Sequence, residues 1–323
     1  MISTGFWKEV RALLVVNLAL QFALLVFVGL FIIKSGIVES SFTKNLSSFI
    51  MKVLLPCMIF NSIASQTFTG DAGELLVIIG LSVLTLVTLA VSSTIVYLLS
   101  GRTLFGRCTI FSSVFGNYTY MGMAAVESIF GAQGLFYYTI FTLPVRLIFY
   151  AAPSFLMRQK ALERKTWPQR LKPFVSPPTV AVLLGLVFYL TGLKLPGFLA
   201  STVTTLGSLA SPLGMVLCGM GLASTSVGNL IKRKRIYLMV LVRNFLSPAV
   251  VIALFYFLPV GSAIRQACAI FGCVPVPSLI TAFSIQMNCP LDVREDCSSA
   301  VLLSTFLCIL TLPLWVTVIQ ALL

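Results

Sequence analysis

Apolar residues in this chain are grouped into long unbroken runs, not into the alternation of a strand or the stripe of a surface helix. Windows of spanning length fall at 13–33, 46–66, 75–99, 108–130, 135–157, 177–194, 200–225, 236–258, 266–288 and 298–320. Each is long enough to cross the hydrocarbon core as a helix. The pattern predicts an all-α polytopic membrane protein with ten transmembrane helices. Two windows carry breakers near their middle, Gly116-Asn117-Tyr118-Thr119 in the fourth and Pro275-Val276-Pro277-Ser278 in the ninth. The first window is longer than the apolar part of a signal peptide and has no clear small-residue cleavage site behind it, so it reads as a retained span.

The windows repeat. Pro56 in Leu-Pro-Cys-Met is matched by Pro212 in Ser-Pro-Leu-Gly-Met, 156 positions later. Ile110-Phe111 is matched by Ile270-Phe271 at an offset of 160, which sets Asn117 opposite Pro277. Thr142-Leu143-Pro144 is matched by Thr311-Leu312-Pro313 at an offset of 169. Three matches in one order point to a duplication of five spans, and because five is odd the second copy must be inverted in the membrane. Residues 1–157 form the first repeat, 158–175 a basic connection and 176–323 the second repeat.

Composition sharpens this picture. Of 323 residues, 58% are hydrophobic and 10% charged, which excludes an ordinary soluble domain. The net charge of +13 is a topology signal before it is anything else. Alternate connections carry fifteen Lys and Arg on one side, concentrated at Arg158 to Lys172 and Lys232 to Arg235, against four on the other. The rich side is therefore cytoplasmic, both termini are expected outside, and 69–74 with Asp71 and Glu74 is external. Nucleic acid is not expected as a partner; the lipid bilayer is. Histidine is absent and only nine residues are acidic, which removes His-based triads, His metal sites and most carboxylate-pair chemistry. No enzyme, cofactor or metal is expected. The eight cysteines contain no C-x-x-C and mostly sit in apolar runs as small hydrophobes.

The chemistry then has to lie where helices break. Peptide groups bared at mid-membrane cost several kcal/mol unless they are buried in protein or line a polar cavity. Interrupted helices in equivalent positions of two repeats thus point to a substrate site. Each offers a half-helix N-terminus suited to negative charge and a C-terminus suited to positive charge. Asn117, Thr119, Ser278 and Thr281 supply side-chain hydrogen bonds, Tyr118 and Tyr120 supply rings with polar tips, and Gly122, Pro275 and Pro277 shape the backbone. Arg146 lies about 16 Å into its span; it either pairs with an anion or neutralises half-helix carbonyls. Arg243 and Lys52, nearer a helix end, are expected to snorkel to the cytoplasmic surface, with a coupling or structural charge as the other reading of Arg243. Glu127 either carries a proton or serves a local partner near the external end of span 4. Gly214, Gly219 and Gly221 permit close helix contact in span 7. The Asn117-Tyr118-Thr119 glycosylation pattern lies inside a span and is discarded.

The stretch Phe115-Gly116-Asn117-Tyr118-Thr119-Tyr120-Met121-Gly122-Met123, followed by Glu127-Ser128-Ile129-Phe130-Gly131, resembles the F-S-N-T-x-x-M-G-I-P…E-x-x-F-G signature of the auxin efflux carrier family. Val53-Leu54-Leu55-Pro56, Pro177-Pro178 with Leu183-Leu184-Gly185, Ser211-Pro212-Leu213, Pro277, and Ala300 to Thr305 through Leu312-Pro313 extend the resemblance along the whole chain. It implies the sodium/proton-antiporter and bile-acid-symporter fold, usually as a homodimer. Spans 1, 2, 6 and 7 would be the scaffold, and spans 3 to 5 with 8 to 10 the transport domain. It also implies alternating-access transport of small organic anions, carboxylates such as malate, malonate or auxin-like acids, bound near Asn117. The short central connection looks like that of bacterial members, in the inner membrane. Two positions depart from the family: Ala124 stands where Pro is usual, and Arg146 where a neutral polar residue is more common.

Overall fold

The computed structural model describes residues 20–21, 24–39, 41–65, 72–149, 152–157, 177–223 and 233–323. The basic connection 158–175, the start of the first window and residues 66–71, which hold Asp71 of the segment expected outside, lie outside these. The described residues are helices and connections, without a strand. In chain order the helices are α1 (Leu24–Lys34) and α2 (Ser41–Ala64), α3 (Ala72–Leu99), α4 (Leu104–Val114), α5 (Met123–Phe149) and the short α6 (Ala152–Leu156). Then come α7 (Pro177–Thr191), α8 (Gly197–Gly221) and α9 (Lys234–Tyr256), α10 (Ser262–Cys273), α11 (Leu279–Gln286) and α12 (Leu291–Leu322).

Among the described residues five helices, α2, α3, α8, α9 and α12, are each long and apolar enough to cross a bilayer. The protein is a polytopic membrane protein. Helices α4 and α5 are parted at Phe115 to Asn117, and α10 and α11 at Val274 to Ser278, inside the fourth and ninth apolar windows. Gly131, at φ 65 and ψ −161, then bends α5 where the fourth window gives way to the fifth. Helix ends follow local chemistry. Thr103 caps α4 by accepting the Gly106 N–H at 3.0 Å, and Gly101 (φ 94) turns the chain out of α3.

Proline explains two irregular turns. Pro248 has no N–H for the carbonyl four residues earlier, so α9 widens to a π turn over Val242–Leu246. The freed carbonyl of Asn244 accepts the Trp315 indole N–H of α12 at 2.9 Å. Pro56 has the same effect in α2, with a π turn over Ile50–Leu54.

Packing divides into two groups. Helix α2 lies against α7 and α8, and α1 reaches α8 through Gly29 and Gly219. In the other group α3 packs on α4 and α5, as α9 packs on α10 and α12, and α10 crosses to α5. The groups meet where α2 and α8 touch α5 and the turn Tyr118–Gly122 before it. The second group is tied at one end by ions: Arg233 bonds Asp296 at 2.8 Å and pairs with Glu295, while Arg235 reaches Asp292 and Asp296 at 3.1 Å. Asp296 is fully buried between them. Asp296→Asn keeps the shape but withdraws the charge from two partly exposed guanidiniums. It is expected to cost about 1–2 kcal/mol, read as a lower Tm of the purified protein, with Glu39→Gln, on a residue outside this network, as the neutral control.

Candidate functional site

The two interruptions touch. After α4 the chain turns extended at Phe115 (φ −118, ψ 105). Asn117 (φ −75, ψ 53) then donates its backbone N–H to the Pro275 carbonyl at 2.8 Å. Its own carbonyl accepts Met121 N–H at 3.2 Å and Gly122 N–H at 3.0 Å, opening the wide turn Tyr118–Gly122 that leads into α5. On the other side Val276 N–H bonds the Ser304 hydroxyl of α12 at 3.1 Å. Ile280 N–H bonds the Pro277 carbonyl at 3.1 Å to start α11. Ala124 lies inside α5, so this helix is interrupted without the proline usual at that position.

Between the breaks is a cleft lined by Met51, Gly116, Asn117, Tyr118, Thr119, Tyr120, Phe149, Pro277, Ser278 and Leu279, with a volume of about 310 Å³ counting its open mouth. In this conformation the cleft has room for about one water between its walls. The wide turn that leads into α5 and the first residue of α11 both line it, so the N-terminal ends of two helices lie at one space, and a helix N-terminus carries partial positive charge. The hydroxyl-bearing Thr119 and Ser278 are half-buried there. Apolar walls come from Met51, Leu279 and Phe149, the last meeting Tyr118 edge-on at 5.6 Å. The hydroxyls of Tyr120 and Ser47 of α2 share a hydrogen bond at 3.4 Å, and a Cβ added at Gly214 of α8 would meet the Tyr120 ring at 3.4 Å. The cleft thus sits on the seam between the two packing groups.

The opposite ends of the interrupted helices meet Arg243. It is fully buried, and its Nη1 donates to the Ser113 carbonyl near the end of α4 at 2.7 Å. Its Nη2 and Nε donate to the Phe271 and Val274 carbonyls at the end of α10 at 2.5 and 2.6 Å. The guanidinium also lies 5.9 Å from the Phe271 ring centre. The expectation that Arg243 snorkels is therefore wrong. Helix α9 begins at Lys234 rather than 236, so Arg243 is nine residues deep, about 14 Å along the axis. That is close to the midplane of a ~30 Å hydrocarbon core. The π turn before Pro248 holds it at the breaks. Lys52, by contrast, is exposed.

Of the residues singled out from sequence, Asn117, Tyr118, Thr119, Tyr120, Pro277 and Ser278 line the cleft. Pro275 stands behind it, holding Asn117 through its carbonyl. Gly122 gives room to the Tyr138 hydroxyl, which donates to the Tyr118 carbonyl at 3.3 Å. Arg146 is buried within the second packing group with Nη2 at 3.8 Å from the Met123 sulfur, away from the cleft lining. Glu127 and Thr281 are half-buried and also off the lining. Met51, Phe149 and Leu279 are wall residues that sequence reasoning did not mark. The signal for Met51 is Pro56, whose π turn resets the face that α2 presents.

A helical bundle with two interrupted helices meeting at a cleft, on a multi-pass membrane protein, is the build of a membrane transporter. Comparison with known sequences gives the class directly: residues 14–316 match the family described as membrane transport protein. The chain belongs to this auxin efflux carrier-like family. It is 25% identical over 307 residues to an uncharacterized transporter of Methanothermobacter thermautotrophicus, across 93% of this chain and 97% of that protein.

Proposed function

We propose that the protein is a secondary carrier that moves a small organic anion, a carboxylate such as malate, malonate or an auxin-like acid, by alternating access. One observation carries this reading. Both half-helix N-termini open onto one cleft, while the matching C-termini are already engaged by a buried cation. The fixed field at the cleft is positive, and among the residues lining it there is no carboxylate to oppose it. Asn117, Thr119 and Ser278 orient the carboxylate, and Tyr118, Tyr120 and Phe149 enclose its apolar body. Arg146, Gly122, Pro275 and Thr281 support from behind, and Glu127 stands towards the external end.

In this reading the chain crosses the inner membrane ten times as two inverted five-span repeats, with both termini outside, and works as a homodimer. The like packing of α3 with α4 and α5 and of α9 with α10 and α12 supports the repeat. Helices α1, α2, α7 and α8 are the scaffold against which the remaining helices move, and the seam position of Tyr120 and Met51 supports that division. The reaction needs no covalent step.

The test is counterflow: proteoliposomes preloaded with unlabelled carboxylate are expected to accumulate labelled carboxylate transiently. A panel of mono- and dicarboxylates that all bind without counterflow would make the protein a ligand sensor instead, and a panel in which none binds would overturn the anion reading.

A further inference from the structure

Resting on the carrier reading, we propose that Arg243 is the positioning residue of the cleft. It acts as a built-in cation that ties the C-terminal ends of both interrupted helices into one geometry, so that the two N-termini facing the cleft keep their spacing. Each broken helix leaves carbonyls in its last turn without intrahelical donors, and in a membrane interior no bulk water is available to serve them. Three of these oxygens, from Ser113, Phe271 and Val274, converge on a single guanidinium at 2.5–2.7 Å. They belong to two helices that lie 158 positions apart at Ser113 and Phe271, so the contact is a clamp between repeats and not a local cap.

The surroundings are built to hold it. Gly116, beside Asn117, lies against the guanidinium, and a Cβ there would collide with Arg243 and come within 2.6 Å of the Val274 side chain. The Ser247 hydroxyl, one turn along α9, reaches the Ser113 carbonyl at 3.4 Å and the Ser113 hydroxyl at 3.1 Å. On the next residue, Asn244 Nδ2 donates to the Ser304 carbonyl at 3.0 Å. Ser304 in turn holds Val276 of the second break through its hydroxyl. Arg243 therefore grips the last turns before both breaks, and its neighbour fixes the chain that follows one of them. A planar fork of donors suits three oxygens at different angles, whereas an ammonium is a compact point charge.

The test uses the full-length protein in detergent and in proteoliposomes. In Arg243→Ala, amide exchange measured by mass spectrometry is expected to rise by at least about tenfold in 113–122 and in 271–280 together, while 80–95 in α3 stays unchanged. Carboxylate uptake falls in parallel. Millimolar methylguanidinium restores both protection and uptake in this variant, and sodium and ammonium do not. Arg243→Lys is expected to show the same paired rise to a smaller extent.

Exchange unchanged in either segment of a folded variant would overturn the proposal, as would rescue by sodium or ammonium equal to that by methylguanidinium. Should Arg243→Ala fail to fold, Arg243→Lys decides by the same paired readout. Exchange is independent of transport, so a wild-type protein that takes up no carboxylate would sink the carrier reading and leave this result standing.

Discussion

Asn117→Ala is expected to lower carboxylate uptake at sub-saturating concentration by roughly ten- to a hundredfold in proteoliposomes while leaving the protein folded. The two roles separate because the backbone of Asn117 makes the bonds that shape the break, while its side chain is the part proposed to meet the ligand. The N–H bond to Pro275 and the carbonyl bonds to Met121 and Gly122 involve main-chain atoms that alanine retains. Asn117 lines the cleft beside Thr119 and Ser278. An amide donor to a carboxylate in a water-poor site contributes about 1.5–3 kcal/mol. Its loss weakens binding by roughly ten- to a hundredfold or more, at unchanged elution from a sizing column. Uptake equal to wild type would remove Asn117 from the site; loss of folding would show that its side chain has a structural task.

Gly219→Val is expected to give the largest loss of stability among single changes in the first packing group. A Cβ at Gly219 would strike the backbone of Val26, with the carbonyl carbon at 2.8 Å and Leu30 N at 3.0 Å. From the other side, Gly29 already has Met220 N at 2.9 Å from its own Cβ position. Backbone atoms cannot turn aside as a side-chain tip can, so α1 must be pushed off α8. Overpacking of this kind costs about 1–3 kcal/mol, and in a membrane, where close packing rather than apolar burial holds helices together, the loss is expected at the upper end. Gly221→Val is the control. Among the described residues a Cβ there meets nothing within 4 Å, so Tm should fall for Gly219→Val and hold for Gly221→Val. Equal Tm for both would contradict the close crossing.

Apolar window length marks helices well, because lipid leaves few alternatives to a satisfied helical backbone. Gly116-Asn117 and Pro275 to Ser278 were legible as breaks since glycine and proline act locally. The placement of Arg243 was not. Its depth depends on a helix start that differs by two residues from the apolar window, and its aim on a π turn forced by Pro248, five positions later. A cation was nevertheless called for, because two helix C-termini at one level need positive charge, and Arg146 was the other arginine within reach. Gly221 shows the converse. It belongs to the same small-residue pattern as Gly219, and only the contact with α1 separates a packing glycine from an open one. Met51, Phe149 and Leu279 carry no chemical mark; walls of a cleft are ordinary apolar residues placed by tertiary structure.

The central claim is that an organic anion rests between the starts of α5 and α11, and a cryo-electron-microscopy map of the protein with a carboxylate it transports tests this most directly. The account predicts ligand density contacting Asn117 to Tyr120 on one side and Pro277 to Leu279 on the other, with Arg243 still bound to the Ser113, Phe271 and Val274 carbonyls. Density for the acid elsewhere, with the space between the two helix starts empty, would contradict it.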